Sequence, residues 1–110
     1  MKLTNRENAH IPPGKITAYL LSETHSVGKS KAKLLRSMGF HEGNAVLLEK
    51  GLLTIAHSGD LIDSILSPHG VKYVIDGTLQ TPDGGYIRMR TIWIIDEGGD
   101  KPRFVTAYPV

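Results

Sequence analysis

The spacing of apolar residues changes near residue 60, and the change divides the chain into two halves. In the first half, apolar residues recur at the three- and four-residue intervals of an amphipathic helix. Residues 27–38 form one such segment, which Gly39 is suited to end, and residues 44–57 form another, interrupted by the poor helix former Gly51. The shorter apolar segment 16–21 predicts a short helix, so we expect the first half to be helical.

Beyond residue 60, the pattern becomes that of β-strands. Four strands are predicted, over residues 61–67, 71–79, 86–95 and 103–108. The sequence Pro82-Asp83-Gly84-Gly85 is a strong hairpin signal between the second and third strands. Consecutive strands with tight connections form an antiparallel meander, whose apolar face must be covered. We therefore predict an α+β fold in which N-terminal helices pack on a four-stranded antiparallel β-meander.

The length of 110 residues corresponds to one domain, with an irregular lead-in at 1–14, a helical part at 15–58 and the meander at 60–109. The chain has no cysteine, which excludes disulfides and suits the reducing cytoplasm. The polar N-terminus lacks the apolar core of a signal peptide, and no apolar stretch is long enough to span a bilayer. We therefore expect a cytoplasmic domain without a membrane partner.

The distribution of charge says more than the net charge of +2. Four cations occupy the second predicted helix with no acid among them: Lys29, Lys31, Lys33 and Arg36. Arg88 and Arg90 lie on one side of the third predicted strand. Clustered cations create a local positive field that attracts phosphates, so a nucleic acid is a candidate partner. The alternative is a solvated helix face that is balanced by acids elsewhere.

Strand alternation predicts which side chains share a side of the sheet. In the last strand, it places Thr106 and Tyr108 on the same side as Phe104. In the second strand, it places Lys72 on the same side as Asp76. A sheet with one face covered by helices can present such cations and hydroxyls on the other face, although the register is not given by the sequence.

Metal-free RNA cleavage needs a base for the ribose 2′-hydroxyl proton, an acid for the leaving oxygen and cations for the phosphate charge. Histidine and arginine suit these roles. His25 is the best-placed histidine, because it precedes the most basic helix, where Lys29 and Ser30 follow. Structural roles suit the other four histidines better: His10, His41, His57 and His69.

Other chemistries are poorly supported. The sequence Gly28-Lys29-Ser30 resembles part of a phosphate-binding loop, but Glu23 stands where that loop needs its first glycine. The acids form no metal-binding motif, and Asp60 and Asp63, three apart in a predicted strand, are expected on opposite sides. We therefore predict no metal site and no cofactor.

Most of the chain, about residues 2–109, resembles a family of small uncharacterised bacterial proteins. Three stretches carry the resemblance: Thr24-His25-Ser26-Val27-Gly28-Lys29-Ser30-Lys31-Ala32 followed by Met38-Gly39-Phe40; Gly70-Val71-Lys72-Tyr73; and Arg90-Thr91-Ile92-Trp93-Ile94-Ile95 followed by Pro102-Arg103-Phe104-Val105-Thr106-Ala107-Tyr108-Pro109. Members of this family resemble domains that occur alone, beside a small partner gene or at the ends of larger toxin-like proteins.

A looser similarity connects the predicted fold with the barnase/EndoU/colicin/RelE-like ribonuclease toxins, which carry a histidine on an early helix and basic and hydroxyl residues on the sheet. This resemblance implies a catalytic role for His25 as the acid–base residue. It further implies a catalytic set completed by Arg90, Thr106 and Tyr108. The substrate-binding residues would be Lys29, Lys31, Lys72 and Arg88. Because only one histidine is well placed, Tyr108 or Lys72 would have to serve as the second proton-transfer group.

Three functions remain open from the sequence. The first is a ribonuclease toxin that cleaves RNA and is blocked by an antitoxin or immunity protein, and it predicts that His25, Arg90, Thr106 and Tyr108 converge. The second is a non-catalytic module that binds a neighbouring-gene protein, in which the arginines bond acids such as Asp76. The third is an inhibitor, the antitoxin half of such a pair. The basic helix favours the first, and the modest net charge and single well-placed histidine favour the others.

Overall fold

The computed structural model describes residues 1–26 and 28–110, and it confirms the predicted order of helices followed by an antiparallel sheet. Among these residues, the helical part contains a short π-helical turn, two helices and two 3-10 turns: Ile16–Leu20, α1 (Lys29–Ser37), α2 (Ala45–Ser58), Arg6–Asn8 and Glu42–Asn44. The sheet has four strands: β1 (Asp60–Ser67), β2 (Gly70–Gln80), β3 (Tyr86–Asp96) and β4 (Arg103–Pro109).

The helices lie close to the predicted segments. Val27, the first residue of the second predicted helix, lies outside the described residues, and α1 ends before Gly39, whose φ of 101° favours glycine. Gly51 lies within α2, where a Cβ atom would be 2.3 Å from Leu79 Cδ1. The glycine that interrupts the helical pattern therefore allows α2 to approach the sheet closely.

The four strands form a meander in the order β1-β2-β3-β4, so that β3 lies inside the sheet. The covered face of the sheet packs against α2, because Gly77 approaches Ile55 and Leu79 approaches Gly51. The opposite face, called the outer face here, carries the alternate residues of the strands. Two rows cross it: Asp76, Arg90 and Tyr108, and beside them Val74, Ile92 and Thr106.

Two bulges change which residues share a side. In β4, Phe104 pairs with Trp93 while Thr106 pairs with Ile92, so Val105 is an extra residue between them. The prediction that Phe104 shares a side with Thr106 and Tyr108 is therefore wrong: Phe104 is fully buried in the core and the two hydroxyl residues lie on the outer face. The placement of Thr106 with Tyr108 is consistent with the register.

The bulge in β1 has the same effect on its acids. Asp60 pairs with Asp76 and Asp63 pairs with Val74, so their partners are two positions apart on β2. The prediction that Asp60 and Asp63 lie on opposite sides is therefore wrong, because the extra residue between Leu61 and Asp63 reverses the alternation.

The core is centred on Trp93, which is fully buried. Its ring meets that of Phe104 edge to face, with 5.2 Å between the centroids, and its Nε1 donates a 2.8 Å hydrogen bond to Thr91 Oγ1. The lead-in runs beside β4, where the backbone of His10 donates to Pro102 O and accepts from Phe104 N, both at 2.9 Å. This pairing places the lead-in beside the same strand that Lys15 and Tyr19 contact further along the chain.

Candidate functional site

A half-buried tyrosine that the sequence did not single out occupies the centre of the candidate site. Tyr19 belongs to the short helix Ile16–Leu20, whose first and last residues are buried and anchor the turn in the core. Its hydroxyl lies 2.8 Å from Thr106 Oγ1, across 87 positions of the sequence. The contact joins the helical half of the chain to the outer face of the sheet at β4.

His25 lies against the same tyrosine. The two ring centroids are 5.0 Å apart and the planes meet at 80°. The imidazole Nδ1 accepts a hydrogen bond of 3.0 Å from the backbone N–H of Gly28. A nitrogen that accepts in this way carries no proton, so the neutral ring with this bond has its proton on Nε2.

Gly28 is required by the close packing of α1 on the tyrosine. A Cβ atom at this position would lie 2.3 Å from the backbone oxygen of Tyr19 and 3.0 Å from its Cδ1. The glycine of the Gly28-Lys29-Ser30 sequence therefore has a structural reason that is unrelated to a phosphate-binding loop. It lets the start of α1 touch the Ile16–Leu20 helix and places His25 beside Tyr19.

Two ammonium groups flank the same ring. Lys15 Nζ lies 4.9 Å and Lys31 Nζ 5.9 Å from the ring centroid of Tyr19. Lys15 Nζ also donates a 2.9 Å hydrogen bond to the backbone oxygen of Val105, at the bulge of β4. We call the five residues that meet here the Tyr19 cluster: Lys15, Tyr19, His25, Lys31 and Thr106.

The second group of candidate residues is the row across the outer face. Arg90 holds Asp76 through two parallel hydrogen bonds, Nε to Oδ1 and Nη2 to Oδ2, each 2.8 Å long. These hydrogen bonds raise the pKa of Arg90 and lower that of Asp76 below its ordinary value, although burial of the carboxylate opposes the second effect. Tyr108 pairs with Arg90 in the register and interacts with its guanidinium group.

Arg90 is therefore engaged by a carboxylate, as the non-catalytic alternative anticipated. The guanidinium group, which could bind a phosphate through two hydrogen bonds, is instead bound to Asp76, whose side chain is only 9% exposed. Arg88 lies one step along the same face, is exposed, and donates a 3.3 Å hydrogen bond to Thr78 Oγ1. Arg90 thus stabilises the sheet, and Arg88 is the more accessible of the two guanidinium groups.

The remaining predicted residues lie elsewhere. Lys72 is on β2, four positions from Asp76, and pairs with Ile94 of β3 at the other end of the outer face. Lys29 borders a groove on the side of α1 away from Lys31, because two residues of a helix that are two apart point in nearly opposite directions. The structure thus brings His25, Lys31 and Thr106 together and separates Lys29 and Lys72 from them.

The sequence reading missed Tyr19 and Lys15. Tyr19 lies in a segment whose apolar spacing predicted a helix and nothing more, and Lys15 directly precedes that segment. The hydrogen bonds of both are with residues far along the chain. Lys15 and Tyr19 are four positions apart, which is the spacing of neighbours on one face of a helix. This spacing was the only local indication in the sequence that the two side chains lie close together.

Within residues 1–26 and 28–110, no three side chains of histidine, aspartate or glutamate are grouped as a metal ion would require. In the same ranges, no helix is long and apolar enough to cross a membrane. The candidate site therefore consists of a tyrosine, an imidazole, two ammonium groups and a hydroxyl.

The fold is shared with a protein of solved structure. The chain is similar to a chain of the "Contact-dependent growth inhibition toxin - immunity protein complex from Klebsiella pneumoniae 342", with a TM-score of 0.73 and 14% sequence identity. The match covers 94% of this chain and 95% of that one, and at this identity it establishes a common fold. Comparison with curated proteins finds no match. The family model described as "Domain of unknown function (DUF6883)" matches residues 2–110, and the chain therefore belongs to that family.

Proposed function

We propose that this chain is a metal-independent ribonuclease domain of the toxin kind, with its chemistry at the Tyr19 cluster. The observation that carries the proposal is the meeting of an imidazole, two ammonium groups and a threonine hydroxyl around one half-buried tyrosine ring. These groups come from three separate segments of the chain and supply the proton donors, proton acceptors and cations that RNA cleavage needs.

In the proposed reaction, the ribose 2′-oxygen attacks the neighbouring phosphorus and the bond from phosphorus to the 5′-oxygen breaks. The 2′-hydroxyl proton goes to a base, and an acid supplies a proton to the 5′-oxygen. The products are a 2′,3′-cyclic phosphate and a 5′-hydroxyl, and no metal or cofactor takes part.

The hydrogen bonds of the cluster suggest how its residues divide this work. While Gly28 donates to Nδ1, His25 is a donor through Nε2, and a neutral imidazole in this role can polarise an oxygen by a hydrogen bond without giving up its proton. The hydroxyl pair of Tyr19 and Thr106 can accept the hydrogen bond of the 2′-hydroxyl. Tyr19, in its ionised form, would take the 2′-hydroxyl proton and then pass it from its own hydroxyl to the 5′-oxygen. It would thus fill the second proton-transfer role for which the sequence offered Tyr108 or Lys72. The ammonium groups of Lys15 and Lys31 would stabilise the phosphate charge.

The outer face continues the site toward Tyr108. Thr106 and Tyr108 are two positions apart on β4, so their side chains lie about 7 Å apart along the strand. Tyr108 is exposed, and Arg88 and Lys72 are cations on the same face, so they would contact nucleotides beside the cleaved bond. Arg90, held by Asp76, would support this surface by keeping Tyr108 in place.

The shared fold supports a role in a toxin and immunity protein pair, because the similar solved chain comes from such a complex. We therefore propose that a small immunity or antitoxin protein binds this chain and blocks the cluster. The name of that complex includes both a toxin and an immunity protein and does not say which of the two the similar chain is. An inhibitory protein, such as the immunity partner of a toxin, is therefore the second candidate function. The Arg90–Asp76 ion pair favours this second candidate, because it leaves the best phosphate-binding side chain engaged within the protein.

The test is the incubation of the purified chain with bacterial RNA in EDTA, beside the variants Tyr19→Phe and His25→Ala. Loss of one general acid–base group typically lowers the rate by about 10²–10⁴-fold, so both variants should cut slowly and leave the same cyclic phosphate ends. Tyr86→Phe is the matched control, because Tyr86 is 70% exposed and lies in β3 beside the hairpin.

Each outcome decides between the candidates. Cleavage that the Tyr19→Phe variant loses and the Tyr86→Phe variant keeps would support the proposed site and exclude a contaminating nuclease. Cleavage at equal rates by all variants would remove the Tyr19 cluster from the mechanism. Intact RNA with a folded parent would refute the enzyme and favour the inhibitory or binding role.

A further inference from the structure

The cations of α1 lie on two sides of the helix, and only one side belongs to the Tyr19 cluster. Lys31 faces Tyr19, whereas Lys29 and Lys33, one helical turn apart, lie together on another side. These two lysines border a shallow groove of about 510 Å³, which is completed by Glu23, Ser30 and Arg36.

The charges of this groove are only partly balanced. Arg36 is paired with Glu23 at 3.0 Å and also with Glu42, and its guanidinium group donates to the backbone oxygen of Leu21. Lys29 and Lys33 are exposed and form no ion pair among the residues that the structure describes. The groove therefore keeps an excess of positive charge, whereas Arg36 is engaged within the protein.

We propose that the α1 groove, with Lys29 and Lys33, is a second binding surface for the sugar-phosphate backbone of a polynucleotide whose neighbouring segment occupies the Tyr19 cluster. Two ammonium groups one turn apart on an exposed helix bind successive phosphates as point charges, without reading the bases. The part of this inference that concerns an adjoining substrate segment rests on the proposed function.

The size of α1 sets the length of nucleic acid that uses both surfaces. A helix with its side chains is about 10–12 Å wide, and a nucleic acid strand advances about 3.4 Å per nucleotide. A strand that keeps this stacked spacing therefore continues for about three or four nucleotides beyond the Tyr19 cluster to reach Lys29 and Lys33. A dinucleotide reaches only the cluster, and a longer strand reaches both surfaces.

The experiment measures binding separately from cleavage. The probe is a fluorescent 2′-O-methyl RNA of about twelve nucleotides, which is long enough for both surfaces and cannot be cut because its 2′-oxygens are blocked. Its affinity is measured by fluorescence anisotropy at several salt concentrations for the parent and for the double variant Lys29→Ala/Lys33→Ala. Alanine is a strong helix former, so the variant should keep α1.

The matched control is Lys50→Ala/Lys101→Ala, which removes the same charge from exposed lysines outside α1. We expect the α1 variant to bind about fivefold more weakly and to lower the slope of log affinity against log salt by about 1.4, since each single-strand phosphate contact contributes about 0.7. The control variant should stay close to the parent, and cleavage of a dinucleotide should be the same in all three proteins.

Binding of the α1 variant that equals that of the parent would overturn the inference, and so would an equal loss in the control variant. Tight binding of polyglutamate of the same length would also overturn it, because the surface would then select an acidic polypeptide. A loss of affinity in the α1 variant, with no cleavage of any RNA by the parent, would support the second surface and refute the ribonuclease.

Discussion

The substitution Gly28→Ala tests whether α1 packs on Tyr19 as closely as the structure shows. The added Cβ would lie 2.3 Å from the backbone oxygen of Tyr19. The φ of −83° at Gly28 is ordinary for alanine, so the expected cost comes from this contact and not from the backbone conformation. Overpacking of this kind costs about 1–3 kcal/mol, and a backbone oxygen in a core-anchored turn has little freedom to move away.

A second glycine of the same chain provides the control. At Gly51, an added Cβ would also lie at 2.3 Å, but from the terminal Cδ1 of the Leu79 side chain. Inside a helix, alanine is favoured over glycine by about 1 kcal/mol, which offsets part of the steric cost. We therefore expect Gly51→Ala to change the free energy of unfolding by about 0–2 kcal/mol, less than Gly28→Ala.

Urea and thermal unfolding followed by circular dichroism measure both variants. For a domain of about this size, each kcal/mol shifts Tm by about 4 °C, so Gly28→Ala should lower Tm by roughly 4–12 °C. The proposed cleavage of RNA should fall as well, because the shift of α1 moves His25 away from Tyr19. A Gly28→Ala protein that is as stable as the Gly51→Ala protein would refute the close contact between α1 and the Ile16–Leu20 helix.

Two further predictions concern the sheet. Arg90 lowers the pKa of Asp76, so the pair should stabilise the fold fully above the unfolded pKa of about 3.9 and lose this contribution as the pH falls below that value. Urea unfolding from pH 6 to about pH 2 should show this loss of stability in the parent and a smaller loss in the Asp76→Asn variant. Thr91→Val removes the acceptor of the Trp93 N–H and should lower the free energy of unfolding by about 1–3 kcal/mol. Thr54→Val, at an exposed helix position, should lower it by less than about 1 kcal/mol. Equal losses in the two variants would contradict the buried hydrogen bond between Trp93 and Thr91.

Local patterns predicted the elements because their causes are local. The apolar spacing of α2 comes from the buried face Leu48, Leu52 and Ile55, and this spacing is visible in the sequence without knowledge of the partner elements. The hairpin between β2 and β3 follows from residues with turn preferences. In both cases the information that determines the structure lies within a few consecutive residues.

The bulges show where alternation fails. In β4, Phe104 and Thr106 have the spacing of one side of a strand, yet Phe104 packs on Trp93 and Thr106 meets Tyr19. One extra residue, Val105, allows the same strand to fill the core at one end and to present hydroxyls at the other. Its backbone oxygen accepts the hydrogen bond of Lys15, a partner 90 positions away that strand alternation cannot indicate.

The central residue of the Tyr19 cluster is identified by its packing and not by its residue type. In the sequence, His25 was a candidate because imidazoles serve in acid–base catalysis, and Gly28-Lys29-Ser30 was a candidate because it resembles part of a phosphate-binding loop. In the structure, Gly28 makes room for Tyr19, and its N–H fixes the tautomer of His25. The same glycine thus determines both where the imidazole lies and which nitrogen it offers. Any proton transfer by His25 is therefore coupled to the packing of α1 on Tyr19, so changes at Gly28 should alter stability and chemistry together.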